Sequence, residues 1–514
     1  MPRHCVVPRL ETLCVSAVGN FVVSLAPTIL STIHKHHEPQ IRLQKSIDRI
    51  STILATHVPL YLYDGMALEV LEAVKQLIER TKKNYYMYFN TATFMTEMYV
   101  AVGLTEVVLD PHLKQISFSC WPKIMRYVLY KNLFKLTGLE VLNLGSCTNG
   151  SSDYEPYIIQ GISQMSHLRL LCLCFDCTDN IIQVLSESCP NLQILDVTSS
   201  RSVTDRSIPH LLKCTQLYDL NLHRTSVSVE GLGQLLLGLY RLQDIGRCDD
   251  FGAVLSYINS KYPKIGPIGL RKIHTRDLTT DQLRMLVDTC PNLENVSLFH
   301  DEQFSNLQVL AHLDHLKMLK LLSCDFYGDY ARQLLEVRGC NITSLHLEHV
   351  EQIDLKAIMD ISQYCPRLKN LVLYNCDLTD QAAGYSRSFK VKPFQCLERL
   401  FWVVDCALVH LEFVLMHCTN IKYIHLGSST GICHSSIVKI MGFNPMRELE
   451  ELRILYSTDM STNTVELLLA NCTNLRVISE LENWQGISID ELEIFRKFIH
   501  SNNYDLDIRP ILSY

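Results

Sequence analysis

Basic blocks are scarce in this 514-residue chain: 47 Lys and Arg stand against 54 Asp and Glu, the net charge is -7, and the basic runs are as short as RTKKN at 80–84. A protein that holds nucleic acid through its phosphates presents a basic stripe, so nucleic acid is not expected as a main partner. Catalytic signatures are missing too. The phosphate-cradling G-x-x-x-x-G-K-[S/T] and the zinc-binding H-E-x-x-H do not occur, and no cysteine stands in a recognised nucleophile context. Neither an enzyme activity nor a cofactor is expected.

Long apolar runs are also few. One opens the chain, Leu13 to Leu30 behind Arg3, His4 and Arg9, but Glu11 precedes it, Asn20 and Pro27 interrupt it, and no small-x-small cleavage site follows. A secretory signal is therefore not expected. No other segment reaches the roughly 18 apolar residues that a membrane span needs, and no membrane association is expected. The 20 cysteines are diluted through a long chain and recur at fixed places, which reads as reduced core thiols in a cytoplasmic or nuclear protein rather than a disulfide framework.

What fills the chain is a repeat. LEVLNLGSC (139–147), LRLLCLCFDC (168–177), LQILDVTSS (192–200), LYDLNLHRT (217–225) and LENVSLFHD (293–301) share L-x-x-L-x-L, as do LKMLKLLSC (316–324), ITSLHLEHV (342–350), LKNLVLYNC (368–376), LERLFWVVD (397–405), IKYIHLGSS (421–429) and LEELRILYS (449–457). Weaker copies fit at 242–247, near 270 and at 475–478, and LTEVVL with LKQISF (104–118) is a candidate opening of the array. Spacings of about 23–29 residues are those of leucine-rich repeats. The first, fourth and sixth positions point inward, as Leu368, Leu371 and Leu373 do, and one such strand buries its apolar face only by stacking on its neighbours. DNIIQVLSESCPNL (179–192) and DLTTDQLRMLVDTCPNL (277–293) carry helical periodicity and end in Cys before the next strand. The expected fold is α/β: a leucine-rich-repeat solenoid with parallel strands on the concave face and helices on the convex face, preceded by a helical box.

The closing phrases CPNL, CPRL, CTQL, CTNI and CTNL, with Cys147, Cys324 and Cys376 at the turn after the strand, resemble the cysteine-containing leucine-rich repeat. That resemblance implies an intracellular protein of a kind familiar among ubiquitin-ligase substrate receptors. Ahead of the repeats, RLETLCVSAVGNFV (9–22) is predicted to be an amphipathic helix with Leu10, Leu13, Cys14, Ala17, Val18, Phe21 and Leu25 on one face. Its L-x-x-x-C-x-x-x-V spacing, Leu10, Cys14 and Val18, resembles the BC-box of Zyg-like receptors, which implies binding of the elongin B/C adaptor; Arg9 stands where the family has Ser, Thr or Pro. LAPTILSTI (25–33), with Pro27 and Leu30, resembles the cullin-2 box and implies a cullin partner. The same segment also resembles the start of an F-box, which implies the Skp adaptor, although the later F-box tryptophan is missing and the first Trp is Trp121. A plain repeat scaffold or inhibitor, with the opening helix as an end cap, remains a further alternative.

The expected organisation is 1–40 box helices, 41–100 helical spacer, 101–480 solenoid and 481–514 C-terminal cap. Residues between the inward leucines line the concave face, among them His300, and the expected contacts to a protein substrate are Phe299, His346, Tyr374, Phe401 and His425. Two spacings suggest metal. CLCFDC (172–177) is read as a repeat strand, with Cys172 and Cys174 outward and Cys177 in the turn; HKHH (34–37) is read as a solvated helix end. No metal site is expected.

Overall fold

The computed structural model describes residues 3–5, 8–34, 38–88, 91–117, 122–145, 154–263, 266–300, 305–379, 393–405 and 408–509. Cys147, Trp121 and most of the HKHH segment lie outside the described residues. The chain forms two compact units, one of residues 8–247 and one of residues 248–514 together with the residues before Pro8.

The first unit opens with five helices: α1 (Leu10–Ser24), α2 (Ala26–His34), α3 (Pro39–His57), α4 (Leu60–Tyr88) and α5 (Thr91–Gly103). The range 41–100, expected as a helical spacer, holds most of α3, all of α4 and most of α5, and α3 and α4 both pack on a 3-10 turn at Leu104–Val108. That turn corrects one expectation, since LTEVVL does not open the array as a strand. Leu104, Thr105, Val107 and Val108 are all buried, and a strand with one solvated face would alternate.

A five-stranded parallel sheet follows, β1 (Gln115–Ser117), β2 (Val141–Asn143), β3 (Leu170–Cys172), β4 (Ile194–Asp196) and β5 (Asp219–Asn221), paired in chain order. The second unit holds a nine-stranded sheet: β6 (Lys272–Arg276), β7 (Asn295–Phe299), β8 (Met318–Leu322), β9 (Ser344–Glu348), β10 (Asn370–Tyr374), β11 (Arg399–Val403), β12 (Tyr423–Leu426), β13 (Glu451–Ile454) and β15 (Val477–Ser479). Beside it, β14 (Ser457–Ser461) pairs with β16 (Trp484–Gly486). Each unit is a stretch of leucine-rich-repeat solenoid.

Register follows the motif. Leu171 pairs with Leu195, and Leu345 with Leu371, so equivalent repeat positions stack without stagger. Leu142, Leu171, Leu195, Leu220, Leu345, Leu371 and Leu400 are each at most 1% exposed, and each contributes on the order of 1.5–3 kcal/mol by leaving water. Alternate residues stay half-exposed, as the buried-every-second pattern of β7 and β9 shows.

The cysteine phrases are helix stops. The amides of Cys189, Cys290, Cys365 and Cys472 donate back to Leu185, Leu286, Ile361 and Leu468 at 2.8–2.9 Å, and the leucine three residues later donates to the cysteine carbonyl. A small, weakly polar side chain suits this tight buried corner. Burial pushes the thiols of Cys189, Cys290, Cys365, Cys418 and Cys472 up to about 12.

A second device sits two residues past the last inward position. Phe175, Ser199, Asp277, Ser323, His349 and Asn375 all have positive φ, between 47° and 70°. Side chains other than glycine rarely adopt this region, yet each of these amides donates to a carbonyl of the next repeat at 2.8–3.0 Å. One more ladder bond per repeat offsets the backbone strain. At the C-terminal end the helix Ile489–Ser501 is followed by single bridges, Asp507 to Val477 and Tyr504 to His4.

Candidate functional site

Helix α1 presents the first candidate surface. It packs on α4 through Gly19 and Val22, and a Cβ at Gly19 would stand 2.9 Å from the Glu69 carbonyl oxygen. Only glycine permits so close an approach. The opposite stripe stays open: Leu10 is 76% exposed, Phe21 52% and Leu13 46%, with Cys14 and Ala17 exposed beside them. These residues fall at i, i+3, i+4, i+7 and i+11, one face of a helix. The helix is thus apolar on two sides, one used and one uncovered. Of the predicted adaptor residues, Leu10 and Cys14 lie in the uncovered stripe, while Val18 is half-buried at its border with α4.

In α2, Ala26, Ile29 and Ile33 are buried among α3 and α5, whereas Pro27 is exposed and Leu30 half-buried. The predicted cullin-contacting pair therefore faces partly outward. Leu10–Ile33 as a whole is long and apolar enough to cross a membrane, with a mean hydropathy of 1.9. It is built as two helices of 15 and 9 residues, each shorter than the roughly 20 residues that a spanning helix takes.

The second surface is the outward face of the nine-stranded sheet, where three of the five predicted substrate residues come together. His425 stacks on Phe401 with ring centroids 4.3 Å apart and planes 12° apart. Tyr374 lies 6.4 Å from Phe401, and His349 meets Tyr374 edge-on at 6.3 Å. Beside this ladder, Tyr423 carries the Arg399 guanidinium at 4.4 Å and that of Arg453 at 5.6 Å. Burial, then the Arg453 charge, pushes the His425 imidazole down to about 4. It is neutral at pH 7, and its buried Nδ1 has no hydrogen-bond partner.

The other two residues stand apart. His346 is separated from Phe401 in its column by Val372, and burial followed by the Lys320 charge pushes it down to about 4. Its Nε2 is 3.2 Å from Glu348 Oε2, outside hydrogen-bonding alignment. Phe299, on β7, instead takes the Arg276 guanidinium at 4.9 Å. His300 is not on the outward face: it is 5% exposed, beside Ser305. It stands two residues past buried Leu298, with the parity of the inward positions of β7. The sequence reading missed Arg399, Arg453 and the exposed stripe's independence from Val18. The two arginines occupy outward repeat positions and were legible by the same rule.

Cys174 is also corrected. It is buried rather than exposed on the outward face, and its Sγ lies 3.6 Å from Sγ of half-buried Cys172. Cys177 is buried in the following turn. One further spacing was not anticipated: Gly427–Gly431 reads G-S-S-T-G, that of a serine nucleophile elbow, and among the described residues no histidine is hydrogen-bonded to exposed Ser429.

No protein-family model matches the chain. It is 29% identical over 141 residues to F-box/LRR-repeat protein 4 of Bos taurus, 26% of this chain and 22% of that protein. It is 33% identical over 103 residues to BTB/POZ domain-containing protein FBL11 of Arabidopsis thaliana, 19% of this chain and 11% of that one. The matched stretches thus span under a quarter of either relative. Among solved structures, the leucine-rich-repeat protein LIC12759 of Leptospira interrogans superposes with a TM-score of 0.36 at 14% identity, over 79% of this chain and 91% of that one. The yeast Rad7 and Elc1 complex gives a TM-score of 0.36 at 13% identity, over 71% of this chain and 89% of the matched chain. This chain has the leucine-rich-repeat fold, and part of its length is similar to an F-box/LRR-repeat protein.

Proposed function

We propose that the chain is a substrate-recognition subunit of a cullin-RING ubiquitin ligase, working inside the cell without covalent chemistry of its own. The observation that carries this reading is the uncovered apolar stripe of α1, held rigidly on α4 by the Gly19 approach. A helix that offers Leu10 and Cys14 to solvent is suited to helix-in-groove recognition by an adaptor. Elongin C is the adaptor that its L-x-x-x-C-x-x-x-V spacing fits, with Pro27 and Leu30 turned to a cullin. The aromatic ladder of the nine-stranded sheet then holds the protein substrate, and the gain is effective concentration near the ubiquitin-loaded enzyme. Tyr374 and Phe401 offer a substrate aromatic contact area, and neutral His425, stacked on Phe401, holds the ladder in place.

A second reading has its own support. The named relative is an F-box/LRR-repeat protein, which favours the Skp adaptor on the same helices. Pull-down of the full chain with purified elongin B/C and, separately, with the Skp adaptor decides between them, using Leu10→Ala/Cys14→Phe as the variant. The expected result is elongin capture that the double change abolishes without moving the melting temperature, because both side chains are exposed. Skp capture transfers the assignment to the second reading. Capture of neither adaptor contradicts both, and flotation with lipid vesicles lost in the same variant would make the stripe a membrane contact.

A further inference from the structure

Strand pairing brings together three side chains that no comparison assigns a role. Cys172 on β3 stands in register with Asp196 on β4. Cys174 lies two residues on, and the two sulfurs and a carboxylate oxygen are all within 4.8 Å of one another. The thiols are free. Two thiolates on one tetrahedral zinc, each bonded at about 2.3 Å, are about 3.8 Å apart; the observed Sγ–Sγ separation is 3.6 Å. The carboxylate needs to approach by about an ångström to reach a zinc–oxygen bond of roughly 2.0–2.2 Å.

The surroundings fit ligation. The Thr198 amide and hydroxyl both donate to Asp196 Oδ1, at 2.9 and 2.6 Å. That fixes the carboxylate through Oδ1, the kind of outer support that ligating groups have. Asp196 is half-exposed, so an ion has a path in on its side.

We propose that Cys172, Cys174 and Asp196 form a zinc site on the outward face of the five-stranded sheet, with three protein ligands and a fourth position open to water. Two thiolates select a soft or borderline ion over magnesium or calcium. Binding converts two thiols to thiolates and releases two protons to solvent, so the three anionic ligands carry one negative charge more than the ion neutralises. The site lies in the unit that does not hold the aromatic ladder, and it does not depend on the adaptor reading.

The test is titration of the reduced full chain with Co(II), a spectroscopic substitute for zinc, followed by zinc displacement. The expected result is a single equivalent with thiolate-to-metal charge-transfer absorption, displaced by zinc. Cys172→Ser and Cys174→Ser abolish the band, Thr198→Val weakens affinity by about ten- to a hundredfold through the carboxylate, and Cys340→Ser at an exposed cysteine changes nothing. Melting curves without metal check that each variant folds, and the rise in melting temperature on adding zinc should vanish with Cys172→Ser. A missing thiolate band in the wild type overturns the proposal. So does a band that survives both cysteine changes, or one lost in Cys340→Ser.

Discussion

In the five-stranded sheet the position between the last two inward residues reads Ser117, Asn143, Cys172, Asp196 and Asn221, whereas on β8 to β13 of the nine-stranded sheet it reads Lys320, His346, Val372, Phe401, His425 and Arg453. Most of the described inward neighbours in both are buried leucine, isoleucine or valine, with half-buried Leu222 in the first sheet and buried Trp402 in the second as the exceptions. The strands differ as well, three residues each in the first sheet and mostly four or five in the second. One repeat grammar therefore carries two surfaces. The first offers small ligating and hydrogen-bonding groups, the second large rings and guanidinium groups. Folding is decided by the inward column and leaves the outward column free to carry chemistry, as function grafted on a repeat fold does.

That separation can be broken experimentally. The largest expected effect is at the shared inward positions: Leu195→Ala and Leu371→Ala should each cost about 2–5 kcal/mol in urea denaturation, since both side chains are fully buried. Comparable losses in the two sheets support a common core grammar, and a near-neutral result at either site contradicts it. Next, Phe401→Ala should weaken substrate capture by about tenfold or more, the effect of a central aromatic contact, while Asn143→Ala in the first sheet leaves capture unchanged. Equal losses from both would erase the distinction between the surfaces.

Acid should act on the second sheet first. His346 and His425 are held down to about 4 in the folded chain by burial, against an ordinary histidine value of about 6.5. Between those values the unfolded chain binds more protons, so stability rises with pH there. It is complete above about 6.5 and is lost as pH falls towards about 4. Melting curves from pH 7 to 4 should show this decline, and His425→Gln should flatten it. A decline of the same slope in the variant would remove His425 from the account.

The smallest effect concerns the left-handed residue after each strand. At Ser323, φ 56°, replacement by Gly should leave the chain about 1 kcal/mol more stable than replacement by Ala, the cost of a Cβ in that region. Equal stabilities would mean that the ladder bond alone decides the conformation.

The sequence made much of this visible for a physical reason. Inward leucines recur because every strand must bury the same face, so the eleven strong copies and the helix-stopping cysteines could be read directly, as could the helices α3 and α4. Three things escaped. LTEVVL has strand-like spelling, but burial on all sides made it a 3-10 turn. Cys174 departs from the alternation of β3, being buried directly after buried Leu173, whereas His300 keeps the inward parity of Val296 and Leu298 and was legible as buried. Asp196 became a neighbour of Cys172 only through parallel register, although aligning the two repeats at Leu171 and Leu195 would have paired them. The stripe on α1 was legible as a face, but its freedom from the rest of the unit was not, because α4 takes the side marked by Gly19 and Val22.

Hydrogen–deuterium exchange on the full chain, with and without saturating elongin B/C and in parallel with the Skp adaptor, tests the central claim most directly. The account predicts that elongin B/C slows exchange in residues 10–24 while the amides of β9 to β12 keep their rates, leaving the aromatic ladder open to substrate. Protection confined to the sheets, with residues 10–24 unchanged under either adaptor, would contradict it.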